Sequence, residues 1–352
     1  MATSSDPVPL TRPCFAKPPS PRGRGAGVRG TLASQYAFVL VLFPLLYSFA
    51  SAIGSDADVQ FAKATYTYKT VEGHAIKADV YRPADNRVRP VILFLHGGAL
   101  IFGDRKGIRN AQLGRYLKEG FLVVSIDYRL APETKLPGII EDLRDAYGWV
   151  RTEGRELFRA NPDRIAVVGH SAGGYLTLSA GYQCQPPPRA LVSFYGYGDI
   201  TSAWYSRPDP FYSKEPAVSA EKATQSVGDT TVTEGGEEGR WFFYLYCRQQ
   251  GLWPKMVGGW DPDAEPRKFD PYCPLRNVTK KYPPTLLLHG DADTDVPFEQ
   301  SELMARELER RGVKHRLIRI TGGPHGFDGK ADDPQAAQAF EAVISFLKKH
   351  LK

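Results

Sequence analysis

Gly169-His170-Ser171-Ala172-Gly173 sets a serine among small residues, directly after the apolar run RIAVV and shortly before the helix-like LTLSAGY. A G-x-S-x-G at a strand-to-helix turn is a nucleophile elbow, so tight that only small neighbours fit, and the serine is pushed out above the sheet. Attack by a serine on a carbonyl builds negative charge on the carbonyl oxygen, and backbone N–H groups have to be waiting for it. His96-Gly97-Gly98-Ala99, at the end of VILFLH, offers them, because glycines let the main chain approach without a Cβ in the way. The N–H groups of Gly97 and Gly98, with that of Ala172 just after the nucleophile, would form the oxyanion hole. His96 itself reads as a residue that orients this loop, since no further ligands stand at zinc spacing around it.

The serine also needs a base, and an imidazole with a pKa of about 6.5 is the usual one. Of the seven histidines, His325 lies in Gly322-Gly323-Pro324-His325-Gly326-Phe327, between the last strand and the last helix. Its imidazole needs a carboxylate to fix the tautomer and stabilise the charge. HGDADTDVP, at the end of TLLLHG, offers Asp291, Asp293 and Asp295 at alternate positions. The chain order Ser…Asp…His is that of one hydrolase architecture among several that carry this chemistry.

These groups require a scaffold that holds several loops at one edge. From about residue 64 the chain supplies one. ATYTYKTV and AIKADVYRP alternate polar and apolar residues around Glu72-Gly73 and read as an opening hairpin. VILFLH, FLVVSID, RIAVVGH, ALVSFYG, TLLLHG and HRLIRI follow, most of them solid apolar runs that suit strands buried on both faces of a parallel sheet. Residues 139–152, 299–310 and 334–349 carry helical periodicity between them, so the expected fold class is α/β, a mostly parallel, doubly wound sheet. Nearly ninety residues separate Gly196 from Thr285, too many for a structureless loop in a compact domain. They hold Trp204, Trp241, Trp253 and Trp260, four of the five tryptophans, and read as an inserted, largely helical cap over 200–282. Its polar, Gly-rich middle, 226–240, is expected to be a mobile, solvated loop that gates a lid.

HGGA, DYRLAPE (127–133), GHSAGG (169–174), HGDADTDVP and GPHGF together resemble the hormone-sensitive lipase branch of the α/β-hydrolase fold, over residues 64–352. The resemblance implies a carboxylester hydrolase without cofactor or metal, with a cap over the site. It also implies that the acid stands three residues before the Val-Pro pair, which selects Asp293. Ser171 is then the nucleophile, His325 the base and Asp293 its orienter. Two departures stand out: Ala99 replaces the third glycine of the usual HGGG, and the cap is inserted late. Asp127 and Arg129 of DYRLAPE are expected to tie the turn beneath the site and carry no catalytic role. The aromatic cap points to a mainly apolar small-molecule or lipid ester. An acyltransferase or thioesterase-like release enzyme of a biosynthetic pathway is the nearest rival, and a catalytically inactive ligand-binding protein on the same fold is the rival from another class.

The formal charge of +6 gives no nucleic-acid signal, because residues 1–52 carry +4 of it through Arg12, Lys17, Arg22, Arg24 and Arg29 against Asp6. Six prolines in residues 1–30 mark a disordered basic leader, and YAFVLVLFPLLYSFA (36–50) with Ala50-Ser51-Ala52 has the layout of a signal peptide or signal anchor. The expected catalytic domain is then 57–352, in the secretory pathway, with membrane contact through 36–52 if the leader is not cleaved. An organelle-targeted or cytoplasmic chain is the alternative. Cleavage at Ala52 removes Cys14 and leaves Cys184, Cys247 and Cys273, of which Cys247 and Cys273 share the inserted segment and would be candidates to pair. Asn277-Val278-Thr279 is an N-glycosylation sequon that matters only in a secreted chain.

Overall fold

The computed structural model describes residues 60–330 and 332–351. The leader over 1–52, its cleavage point and Cys14 lie outside the described residues. Among those described, no helix is long and apolar enough to cross a membrane.

Strands β1 (Phe61–Val71) and β2 (His74–Pro83) form the expected hairpin. Its turn residues Glu72 and Gly73 have φ of 51° and 82°, the pair of positive values whose twist matches that of the flanking strands. Then come β3 (Arg89–Leu95), β4 (Leu122–Ile126), β5 (Ala160–His170), β6 (Ala190–Phe194), β7 (Thr285–Gly290) and β8 (His315–Ile320), each within a few residues of the apolar run that predicts it. The eight strands make one sheet in the order β1-β2-β4-β3-β5-β6-β7-β8. The β1–β2 and β2–β4 pairs are antiparallel, and every later pair is parallel. The carboxyl ends of β3, β5, β6, β7 and β8 therefore share one edge, where an α/β sheet builds its site.

Helices α1 (Asn110–Lys118), α2 (Leu136–Thr152), α3 (Gly154–Phe158) and α4 (Ala172–Gln183) fall between strands in the first half. Helices α5 (Ala203–Ser206), α6 (Ala220–Thr224), α7 (Glu237–Gln250), α8 (Trp253–Gly258) and α9 (Pro274–Asn277) lie between β6 and β7, and α10 (Glu299–Arg310) and α11 (Pro334–Leu351) close the chain. The alternation of side chains along β3 shows the double winding. Val91, Leu93 and Leu95 share one apolar cluster with Leu143 of α2 and Leu176 of α4. Ile92 and Phe94 point the other way, into a cluster with Tyr116 of α1 and Leu347 of α11. Phe243, Tyr244, Trp253 and Val257 of the inserted segment belong to the first of these clusters, so the cap extends the core of the sheet. Leu130 N–H bonds Val232 O at 2.8 Å, and Gly103 pairs with Gly235 in a short bridge.

The segment 226–240, expected as a mobile, solvated loop, is exposed at 228–230 and 236–239 and is tied to the rest of the fold at a few points. Thr233 is buried with its hydroxyl 3.0 Å from His74 Nε2, and Glu234 pairs with Arg105 and with Lys106 Nζ at 3.1 Å. Residues 237–240 are already the first turn of α7, and Arg240 there is buried, bonding Glu133 at 2.9 and 2.6 Å. Glu234 and Arg240 thus find counter-charges on distant loops, while residues 236–239 between them face solvent. The three described cysteines are all free and buried, so Cys247 and Cys273 do not pair. Burial pushes each of their thiols up to about 12, which keeps them inert. Asn277 Nδ2 donates to Asp270 O at 2.6 Å and Cys273 O at 2.8 Å, and a glycan there would remove one of these two donors.

Cutting Arg240 back tests how firmly this segment is held. Arg240→Ala leaves the Glu133 carboxylate, 1% exposed, without its counter-charge, an uncompensated burial worth about 3–5 kcal/mol. The urea midpoint is expected to fall accordingly, and an unchanged midpoint would mean that the segment is not anchored.

Candidate active site

Strand β5 runs into helix α4 with Ser171 as the single residue between them. Ser171 holds φ 54° and ψ −118°, a backbone state that costs on the order of 1–3 kcal/mol and persists only where the surroundings enforce it. They do so here by contact. A Cβ on Gly169 would stand 2.2 Å from Gly173 O, and one on Gly173 would stand 2.0 Å from Leu95 O. Ser171 N–H is tied to Phe194 O at 2.9 Å.

The loop after β3 lies against this turn. A Cβ on Gly97 would meet His170 O at 3.1 Å and Ser171 Cβ at 3.4 Å. Gly98 has φ 105°, and its carbonyl accepts from Ile101 and Phe102 N–H at 2.8 and 2.9 Å. Ala99, where a glycine is usual, keeps the left-handed φ of 54° and is held by the indole of Trp253, whose Nε1 donates to Ala99 O at 2.9 Å. His96 stacks on Tyr128 with ring centroids 4.1 Å apart and has Nδ1 2.7 Å from Gly97 O. Burial pulls its pKa down to about 4, so it stays neutral and orients the loop, as expected.

His325 follows β8, and its Nδ1 is 2.8 Å from Asp293 Oδ2, in the loop after β7. The Asp293 side chain is wholly enclosed, with Oδ1 accepting from the N–H groups of Asp295 and Val296 at 2.9 Å each. His289 Nε2 also approaches Asp293 Oδ2, at 3.2 Å. Burial opposes the charge on Asp293, but the bonds from His289 and His325 outweigh it and hold the carboxyl well below its usual range. Burial likewise opposes protonation of His325, and the charges of Asp295 and Asp293 overcome it and raise its pKa. Asp291 turns away to Arg319 Nε and Gly322 N–H, both at 2.6 Å. Asp127 and Arg129 bond Arg105 and Asp142 below the site, in the structural role expected of them. Elsewhere Glu141, Asp142 and Asp145 converge, but Lys69 Nζ lies among them at 3.1, 2.9 and 2.5 Å and supplies the positive charge.

A second His–Asp pair escapes the sequence reading. Asp328, three residues after His325, lies 3.1 Å from His170 Nε2, beside the serine. Its oxygens accept hydrogen bonds from Arg109 Nε at 2.9 Å, Gln112 Nε2 at 2.7 Å and Tyr195 OH at 2.7 Å. The Tyr195 ring packs edge-on against His325 at 4.6 Å and stacks on His170 at 5.8 Å, so one aromatic ring touches both the elbow and the base loop. The position of Asp328 in GPHGFD is the one local hint, since Arg109 is 219 residues away.

Burial opposes the Asp328 charge, but its partners, His170 foremost, keep the carboxyl far below its ordinary pKa. A lowered folded pKa gives stability that is present above the unfolded value of about 3.9 and is lost as pH falls below it. Asp328→Asn is therefore expected to be less stable than the parent at pH 7, and the gap should narrow between about pH 4 and pH 2. Urea midpoints across that range measure it, and a gap independent of pH would show that the charge of Asp328 contributes nothing.

Residues 92–329 match the profile of the alpha/beta hydrolase fold family. Among curated proteins, the chain is 31% identical over 299 residues to the non-reducing polyketide synthase Preu6 of Preussia isomera, covering 75% of this chain and 14% of the synthase. It is 31% identical over 303 residues to the non-reducing polyketide synthase atr1 of Stereocaulon alpinum, with 75% and 12% covered. The chain thus spans about one seventh of the length of these relatives. Among solved structures, an alpha/beta hydrolase superfamily protein from Enterococcus faecalis superposes with a TM-score of 0.62 at 25% identity, covering 82% of this chain and 98% of that one. Carboxyl esterase 2 from Tuber melanosporum gives 0.61 at 24% identity, with 85% and 90% covered. With more than half of its length matched, the chain belongs to the alpha/beta hydrolase fold family.

Proposed function

We propose that the protein is a serine carboxylester hydrolase that works through an acyl-enzyme. The observation that carries this reading is the strained Ser171 turn at the same sheet edge as the 2.8 Å His325–Asp293 pair. In this mechanism Ser171 Oγ attacks the ester carbonyl and passes its proton to His325 Nε2. Asp293 keeps the other proton on Nδ1 and stabilises the imidazolium. The tetrahedral oxyanion takes hydrogen bonds from Gly97, Gly98 and Ala172 N–H, and the alcohol leaves with the proton from Nε2. Water then repeats the sequence on the acyl-enzyme. The aromatic-rich sequence of the cap supports a mainly apolar substrate, although Tyr205 and Trp253 themselves are buried in the core. The uncharged run 36–50 supports entry into the secretory pathway as part of the same reading.

The synthase relatives favour a second reading of the same chemistry, in which the acyl group arrives as a thioester of a biosynthetic pathway and passes to water or another acceptor. Matched p-nitrophenyl esters and acyl thioesters separate the two: the first reading expects the larger kcat/KM on oxygen esters, the second on thioesters.

Ser171→Ala is expected to lose at least about a thousandfold in kcat with its fold intact by circular dichroism. Asp293→Asn should lose on the order of 10⁴, and Asp291→Asn should stay near the parent. Activity of Ser171→Ala within about tenfold of the parent would place the nucleophile elsewhere.

A further inference from the structure

The imidazole of His325 touches a carboxylate on each of its nitrogens. Nδ1 faces Asp293, and Nε2 lies 3.3 Å from Asp295 Oδ2. The other oxygen of Asp295 belongs to the cap. Oδ1 accepts from Tyr212 OH at 2.9 Å, from Arg248 Nη1 at 2.8 Å and from Tyr244 OH, and the Asp295 carbonyl takes a further bond from Arg248 at 3.0 Å. Arg248 has no solvent exposure; it also pairs with Asp209, and its guanidinium lies 4.8–5.7 Å from the ring centres of Trp204, Tyr205, Tyr212 and Tyr244. One carboxylate therefore has an oxygen on the base and an oxygen on three donors of the inserted segment.

We propose that Asp295 is a positioning residue, a second carboxylate partner of His325 through which the cap holds the base. The inference rests on the reading of His325 as the general base. The chemistry at Nε2 gives it a direction. A neutral imidazole that donates from Nδ1 to Asp293 presents a lone pair at Nε2, 3.3 Å from the negative Oδ2. The imidazolium instead brings positive charge to within ion-pair distance of Oδ2, and the attraction between them needs no hydrogen bond. Asp295 thus favours the protonated ring, and it stabilises the charge that forms when the serine gives up its proton. The groups around the ring are Asp293 and Asp295 from the loop after β7, Asp328 from the turn after His325, and Tyr195 at the end of β6. Behind them stand His289 on Asp293, Arg248 on Asp295, and Arg109 and His170 on Asp328. Replacing Asp295 removes one negative neighbour and leaves the charge of Arg248 less compensated, and both changes lower the affinity of His325 for a proton.

The pH profile of kcat/KM on a p-nitrophenyl ester tests this. Asp295→Asn is expected to move the acid limb down by about one pH unit, the lower end of the effect of an opposite charge at this range. Asp295→Glu, which restores a carboxylate, should bring the limb back toward the parent. A limb that stays in place in Asp295→Asn overturns the inference, whatever happens to the plateau. Should Asp295→Asn fail to fold, the parent itself carries the test. Its ¹⁵N-labelled spectrum should show one imidazole ring, absent from His325→Gln, that stays protonated above the ordinary value of about 6.5. A ring that loses its proton at or below that value would show that the neighbouring carboxylates do not favour its charge and would overturn the inference. The two levels of the account fail separately: an active Ser171→Ala removes the hydrolase reading, whereas an inactive one beside an unmoved limb removes Asp295 alone.

Discussion

Helix α4 crosses the ends of β3 and β5 with no room to spare, and the rest of the site is arranged around that contact. Gly173 and Gly169 sit where any Cβ would lie within 2.2 Å of a backbone oxygen. With both at glycine, the chain turns from strand to helix in one residue, and that residue takes the strained conformation recorded at Ser171. The cost, on the order of 1–3 kcal/mol, is offset by the packing of α4, of which ten residues are buried. The same contact brings Gly97 against the Ser171 turn. A bulkier residue at either glycine would displace Ser171 and the Gly97 loop together.

Charge holds the loops that the sheet alone cannot fix. Arg105, Arg240 and Arg248 are each buried and each ties the inserted segment to an earlier or later part of the chain. Buried pairs of this kind add little net stability over an apolar replacement, but breaking one is costly, so they specify an arrangement more than they strengthen it. The arrangement here matters chemically, because one of these ties, that of Arg248, ends at the site, as does a hydrogen bond from Trp253. Trp253 fixes the carbonyl of Ala99, and Arg248 with two tyrosines fixes Asp295. The inserted segment therefore bears on both the His96–Ala99 loop and His325.

The strands were legible because β3 to β7 are buried on both faces, and their solid apolar runs report that directly. Ser171 and His325 were legible because local backbone demands spell themselves out as glycines: the elbow needs Gly169 and Gly173, and the base loop needs Gly326 at φ 72°. The acid was open among three aspartates by spacing alone, and only the resemblance to a family chose Asp293, the one that meets Nδ1. What stayed hidden was every tie between distant charges. Asp295 and Arg248 are 47 residues apart, Glu133 and Arg240 are 107, and neither pair has a period or a motif. The anchors of the segment 226–240 were hidden for that reason, since composition records charge and says nothing of its partner. Asp328 stood beside His325 in the sequence, but its meeting with His170 depends on β5 and β8 ending at one edge of the sheet.

The central claim is that Ser171 carries the acyl group, and covalent labelling addresses it without altering the protein. A fluorophosphonate reacts with an activated serine and mimics the tetrahedral intermediate. The parent protein should take up one phosphonyl group per chain, on the peptide that contains Ser171, with ester hydrolysis falling in proportion to the label. Complete inactivation with the label on another residue, or full labelling of Ser171 with hydrolysis retained, would contradict the account.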